Sequence, residues 1–277
     1  MEKSVLITGA SSGIGRATSL YLAAKGLKVY AGVRNVKDGE NLLKLGSGNL
    51  APVIIDVTDI QSINNTFNKI YAENDGNLFA LVNNAGISLN CPLELASVDM
   101  IKKVVDVNLT GLLNVTKIFI PLLRQSQGKI VNVSSGHGLL ALPDKSIYAA
   151  TKFAVQAVTD SLRIELFPFN IKVASIIVGK VNTSALDKIL KERENIIAHS
   201  ATEIVTLYSD LFDYFDENVK DLPGIEADKV AETIEHALAC NNPRPYYLIG
   251  PGTAKMKKLA ALPLKLRDFL ITKAIYK

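Results

Sequence analysis

Tyr148 and Lys152 stand four residues apart in Tyr148-Ala149-Ala150-Thr151-Lys152, a spacing that on a helix puts a phenol and an ammonium on one face. A phenol with its ordinary pKa near ~10 is a poor proton donor or acceptor at neutral pH. A fixed cation beside it favours the phenolate and moves the group toward working pH, so the pair reads as a general acid–base couple. A second cluster opens the chain, Thr8-Gly9-Ala10-Ser11-Ser12-Gly13-Ile14-Gly15. Its glycines let the backbone approach a pyrophosphate, whose charge is received by the N–H groups that open the following helix.

The elements that must position these groups alternate along the chain. Short apolar runs predict strands over residues 4–8, 28–33, 51–55, 78–82, 129–133, 171–177 and 245–250. Helical periodicity fills the intervals: 14–26, 36–45, from Thr58 to about 71, from Ser97 to about 120, 147–167 and 227–239. Thr58-Asp59-Ile60-Gln61 has the form of a capping box, Pro121 is expected to help end the fourth helix, and Pro168 to end the helix carrying Tyr148. Strands alternating with helices imply βαβ units, hence a Rossmann-type, doubly wound α/β fold of about seven parallel strands with helices on both faces. One domain over 1–253 is expected, followed by a tail over 254–277.

These marks, in this order, resemble the short-chain dehydrogenase/reductase family in its compact form, over residues 3 to about 183 and again near 245–250. The glycine turn matches the family's coenzyme turn, Asp56-Val57 its adenine-contacting acid, Asn83-Asn84-Ala85-Gly86 its most specific tetrapeptide, and Asn108 its helix asparagine. Ser135, thirteen residues before Tyr148, matches its catalytic serine. The resemblance implies a catalytic set of Asn108, Ser135, Tyr148 and Lys152. It implies coenzyme contacts at Gly9, Ser11, Ser12, Gly13, Ile14, Gly15, Arg34, Asp56, Val57, Asn84, Ala85, Gly86, Tyr148, Lys152, Val181 and Thr183, and no metal. Tyr148 is then the proton donor to a carbonyl oxygen, and Ser135 orients that oxygen. By the same resemblance Lys152 holds the nicotinamide ribose, and Asn108 helps hold a water linking Lys152 to solvent. Val178-Gly179 stands where the family usually has Pro-Gly, so Val181 and Thr183 are less tightly assigned than the other four groups. His137 reads as a packed or exposed loop histidine, with a substrate-facing role as the alternative, and Ser134 as structural.

Coenzyme choice is read at the end of the second strand. NAD-specific members of this fold place an acid there to bind the ribose diol. This chain has Val33 and then Arg34, which leaves a 2′-phosphate unrepelled and offers it a charge-assisted partner. NADP(H) is the expected coenzyme. The stretch from Ser135 to Tyr148 and the setting of Arg34 look like the hydroxysteroid and retinol dehydrogenase branch, which implies a small apolar carbonyl or alcohol substrate. A dinucleotide-binding sensor without turnover and a peripheral membrane scaffold are the alternatives from other classes.

Composition narrows the setting. With 277 residues and 48% hydrophobic content the chain can bury one large core. No run reaches the ~18 apolar residues of a bilayer span, and a first strand starting near residue 4 leaves no room for a cleavable leader. Two cysteines, Cys91 and Cys240, form no disulfide framework. A cytoplasmic homo-oligomer is the expectation. The tail holds Lys255, Lys257, Lys258, Lys265, Arg267, Lys273 and Lys277 against Asp268 alone, so the formal net charge of +4 is a property of the tail. The body is net acidic, which argues against a nucleic-acid partner. Leu262, Leu264, Leu266, Phe269, Leu270 and Ile271 make the tail too apolar to hang free. It is expected to pack on protein, with peripheral membrane contact as the other outcome. The segment 179–223 breaks the alternation with a long apolar insert, a length usually functional or mobile in a compact domain; the resemblance implies a substrate lid, with a self-packed helical hairpin or an oligomer contact as the alternatives, and its acids between Asp210 and Glu217 are expected to form a solvated face.

Overall fold

A computed structural model describes residues 3–46, 48–218 and 222–276; Lys277 of the basic tail and residues 219–221 of the insert lie outside them. Seven parallel strands form one sheet in the order β3-β2-β1-β4-β5-β6-β9. They are β1 Ser4–Ile7, β2 Lys28–Val33, β3 Leu50–Ile54, β4 Ala80–Asn83, β5 Lys129–Ser135, β6 Lys172–Val178 and β9 Tyr246–Ile249, with a separate short pair β7 Val181–Asn182 and β8 Ile225–Glu226. The strands are buried on both sides, which is why they read as continuous Val/Ile/Leu runs rather than alternating ones. The connections wind outward from β1 through β2 to β3 and then return to β4. The carboxyl ends of β1 and β4 therefore flank the crevice where the strand order reverses, the place where open α/β sheets bind ligands.

Helices cover both faces. On one, α1 (Gly13–Ala24) packs with α10 (Ala227–Ala239) over a core that includes Leu22, Val29, Val131, Ile176 and Ile234. On the other, α3 (Ile60–Glu73) packs with α5 (Gly111–Ser126) over Leu6, Ile70, Leu81, Phe119 and Val173. Helix α4 (Val98–Val105) runs into α5 through one π-helical stretch, Asp106–Thr110. Pro121 does not end this helix, which continues to Ser126 with the proline inside it. The stretch Val98–Ser126 is long and apolar enough in composition to cross a membrane. In this fold its Val104, Leu112, Val115, Phe119 and Leu123 are buried, α5 lying against β4 and α3.

Two local expectations change. Helix α3 is capped by Asp59, whose carboxylate accepts from the Gln61 N–H at 2.9 Å, and not by Thr58. Thr58 is drawn away because its N–H and hydroxyl both donate to Asp56, at 2.9 and 2.7 Å. Helix α2 (Val36–Leu43) stops two residues short of the predicted end and is capped by Asn35.

The catalytic helix α6 (Ser146–Glu165) is tied to the sheet by buried polar groups. Asn132 of β5 donates to Thr159 at 2.9 Å and accepts from Asn83 of β4 at 2.9 Å, and Asn83 also donates to Thr116 of α5. Gln156 accepts from Ser175 of β6 at 2.6 Å. These buried bonds favour one packing, although the Asn83 oxygen and the Gln156 amide nitrogen have no hydrogen-bond partner among the described residues. Over its described residues the insert forms three helices, α7 (Ala185–Ala198), α8 (Thr202–Leu207) and α9 (Ser209–Asn218). The tail forms α11 (Thr253–Ala260) and α12 (Leu264–Ile275), the latter opening directly after Pro263.

Candidate active site

The glycine turn lies between the ends of β1 and β4 and is braced by side chains. The Thr8 hydroxyl accepts from the N–H groups of Asn84 and Ala85, both at 3.0 Å, and the Asn84 amide donates to the carbonyls of Thr8 (2.9 Å) and Gly9 (3.1 Å). Gly9 has φ +69° and lies so close to Ala85 that an added Cβ would stand 2.8 Å from its Cα. At Gly15 a Cβ would collide with the Gly9 carbonyl and the Asn84 amide. Both positions need glycine, for conformation at the first and for close approach at both. Ser11, Ser12 and Ile14 lie in this turn and the start of α1. Thr183, just beyond β7, has its methyl 3.4 Å from the place a Cβ would take on Gly13. Val181 packs into the core beside Ile14 and pairs with Ile225. Beyond β3, one Asp56 oxygen is spent on Thr58, and Val57 is buried against Gly111. Arg34 is exposed just past β2, whereas Val33 is buried. A small cleft of about 120 Å³ beside the turn is lined by Ser11, Arg16, Asp38 and Asn41. Arg16 was not among the expected contacts, since only the folded turn brings it there.

The reacting groups converge at the end of β5 and the start of α6. Ser135 is the last residue of β5 and Tyr148 lies in the first turn of α6. Burial raises the Tyr148 phenol above its ordinary pKa, and the Ser135 hydroxyl, hydrogen-bonding it, acts the other way. Lys152, 6% exposed, has its ammonium 5.7 Å from the Tyr148 ring centre and donates to the Val133 carbonyl at 3.1 Å. Burial lowers it to about 8. Its hydrogen bond goes to the β5 backbone, and its charge lies beside the Tyr148 ring.

Asn108 lies in the π-helical stretch, a feature frequent at functional sites. Its amide donates to the Ile87 carbonyl (2.8 Å) and to Thr151 (3.1 Å), and its oxygen accepts from the Ile87 N–H at 2.8 Å. Both N–H donors are committed, so the side chain acts as a bracket holding the loop after β4 against the catalytic helix. Gly86 stands beside it, where a Cβ would approach the Asn108 oxygen at 3.3 Å and the Lys152 ammonium at 3.7 Å.

Two contributors were not assigned to the site from the sequence, and a third, the insert, was expected there as a lid. The His137 ring meets the Tyr148 ring edge-on at 6.0 Å. Burial, with Lys145 nearby, pushes it down to about 4, so it is neutral at physiological pH. Met256 of α11 packs behind the loop after Ser135, its sulfur 2.6 Å from the place a Cβ would take on Gly136. The insert reaches the same end of α6: Ile196 joins Ile147, Leu89 and Cys91 in a small apolar cluster. Its acids Asp210, Asp213, Asp216 and Glu217 are exposed, as expected of a solvated face, and Asp216 also reaches buried Arg193 at 3.3 Å. No periodicity encodes these contacts; a lone histidine and a tail methionine carry no spacing signal.

The arrangement offers a proton donor, an orienting hydroxyl and a buried cation next to a glycine cradle suited to a dinucleotide pyrophosphate. A family model described as short chain dehydrogenase matches residues 3–194. Estradiol 17-beta-dehydrogenase 2 of Mus musculus is 35% identical over 289 residues, covering 99% of this chain and 75% of that protein. Retinol dehydrogenase 16 of Homo sapiens is 35% identical over 284 residues, covering 99% of this chain and 88% of that one. Among solved structures, ElxO with NADP bound is 28% identical, covers 90% of this chain and 96% of its own, and superposes with a TM-score of 0.71.

Proposed function

This chain belongs to the short-chain dehydrogenase family of oxidoreductases, and from that premise we propose that it interconverts an apolar ketone and its secondary alcohol with NADP(H). The observation that carries the reading is the meeting of Tyr148, Ser135 and Lys152 beside the braced glycine turn. When bound, the dinucleotide supplies or accepts the hydride. The residues that would hold it are the turn Gly9–Gly15, Asp56, Asn84–Gly86 and Thr183, with Lys152 toward the nicotinamide ribose and Arg34 toward the 2′-phosphate.

The chain's own work is on the oxygen. As a carbonyl is reduced, negative charge builds on its oxygen and must be stabilised and then protonated. Tyr148 gives the proton, and in the reverse direction its phenolate takes the alcohol proton. Ser135 donates a hydrogen bond that orients the oxygen. The Lys152 ammonium stabilises the phenolate left behind, and the insert covers the start of α6 as a lid that excludes water. Similarity to the estradiol and retinol dehydrogenases, together with the apolar cluster of Leu89, Ile147 and Ile196, supports a steroid-, retinoid- or lipid-like substrate. Mixing the protein with NADPH and a panel of such ketones, and following coenzyme absorbance, tests the reading. Coenzyme binding with no turnover of any ketone or alcohol would favour a sensor instead.

A second reading concerns the partners. The outer side of α12 leaves Leu264, Leu266, Phe269 and Leu270 at 42–60% exposure beside Lys265 and Lys273. Apolar side chains flanked by lysines suit an anionic membrane surface, which would also concentrate an apolar substrate. Ile164, Phe167 and Phe169, exposed near the end of α6, suit a cytoplasmic homo-oligomer. Co-sedimentation with anionic liposomes and analytical ultracentrifugation test the two in turn. A monomer that stays in the supernatant refutes both.

A further inference from the structure

Between the catalytic helix and the insert lies a charged cluster for which the reaction above has no use. Asp144 and Lys145 end the loop before α6, Arg193 comes from α7, and Phe215 from α9. The side chains of Asp144, Lys145 and Arg193 are only 4%, 11% and 5% exposed. Lys145 Nζ stands 3.8 Å from Asp144 Oδ2, too far for a hydrogen bond. Beyond this ion pair, neither side chain has a hydrogen-bond partner among the described residues, and both Asp144 oxygens and the Lys145 ammonium are almost fully enclosed. Arg193 does not relieve them. Its guanidinium is committed to Asp216 and to the Phe212 carbonyl, both at 3.3 Å, and stacks on the rings of Phe212 and Phe215.

The lysine of the pair adjoins the site. The Lys145 charge acts on His137, whose ring touches that of Tyr148, and the Lys145 ammonium lies 5.1 Å from the centre of the Phe215 ring of the insert. Asp144 is held at φ +67°, an uncommon conformation for a residue other than glycine, although aspartate adopts it more readily than most. Such conformations cluster at functional sites. Buried charges without hydrogen bonds are costly. A carbonyl or ether oxygen would satisfy only Lys145, and a carboxylate would face Asp144 with like charge. A hydroxyl donates and accepts at once. It can accept from the ammonium and donate to the carboxylate across the gap between them.

Resting on the oxidoreductase reading, we propose that Asp144 and Lys145 form a hydroxyl-recognition subsite under the insert, and that the substrate is a hydroxy-carbonyl compound whose reduced form is a diol. Desolvation acts in the same sense on both groups, raising Asp144 to about 6 and lowering Lys145 to about 8, which suits a neutral ligand that bonds to both.

The test uses two ketone series, an aliphatic acyloin and estrone, each with its methyl ether and its deoxy counterpart. A site built to hydrogen-bond a hydroxyl discriminates strongly against analogues lacking it, so kcat/KM for the hydroxyl form of at least one series should exceed both analogues by roughly tenfold or more. Asp144→Asn keeps shape and tolerates the backbone conformation, and Lys145→Met keeps length. Each should collapse that ratio rather than lower all forms equally. Calorimetric titration of the same compounds into Tyr148→Phe protein carrying NADP gives the preference without turnover. Equal affinity for hydroxyl and deoxy forms in both series overturns the subsite even if ketones are reduced. Absence of turnover with a retained hydroxyl preference in binding overturns the oxidoreductase reading and leaves the subsite standing. If the variants lower thermal stability and leave selectivity unchanged, the pair is a latch for the insert and the proposal is wrong.

Discussion

Replacing Asn108 with alanine separates scaffold from chemistry. The substitution deletes three hydrogen bonds, two to the backbone of Ile87 and one to Thr151, at a side chain 1% exposed. The Ile87 N–H and carbonyl then lose their partner. Leaving a buried polar group unpaired costs about 1–3 kcal/mol. Ile87 is only half-buried and water can reach part of the gap, so the low end applies to each group and the total should be about 2–4 kcal/mol. In a chain of this size that lowers Tm by roughly 4–16 °C. Urea unfolding followed by circular dichroism measures it. Activity should fall as well, because the loop carrying Gly86 is no longer held against Thr151 and Lys152. Stability within about 0.5 kcal/mol of wild type, with turnover reduced a hundredfold, would refute the bracket and put Asn108 in the chemistry.

Tyr148→Phe should keep fold and coenzyme binding while losing at least about 10²-fold in kcat, the range of general acid catalysis, in a coenzyme-absorbance assay. Arg34→Ala should weaken NADPH by roughly 10- to 150-fold and leave NADH unchanged, as expected for a charged hydrogen bond of about 1.5–3 kcal/mol. His137 has a folded pKa of about 4 against an ordinary 6.5, so between those values the unfolded chain binds a proton that the native chain does not. Stability should fall as pH drops through that window, by roughly 3 kcal/mol in all, and stop falling on this account below it. His137→Gln should flatten that part of the urea-measured profile. Truncation after Gly252 removes Met256 from behind Gly136 and α12 from α9. Differential scanning calorimetry should show a lower Tm, and an unchanged Tm would make the tail a passive end.

The sequence alone determined the alternation of strands and helices, the place of the glycine turn and the register of Tyr148 and Lys152, because these depend on local spacing. Helix α10 came out at its predicted bounds, where hydrophobic periodicity and the break before Cys240 agree. Local signals failed where a distant or competing partner decides. Thr58 fits a cap by pattern but is captured by Asp56, and Pro121 sits inside a helix held by its packing on the sheet. Only the tertiary structure revealed that Asn108 is spent on Ile87, that Lys152 hydrogen-bonds the β5 backbone, and that burial raises the Tyr148 phenol while Ser135 acts the other way. It alone brought His137, Met256 and the Asp144–Lys145 pair to the site. Desolvation depends on everything packed around a group, and contacts between residues a hundred positions apart have no period. Neither can be read along the chain until the sheet has closed over its helices.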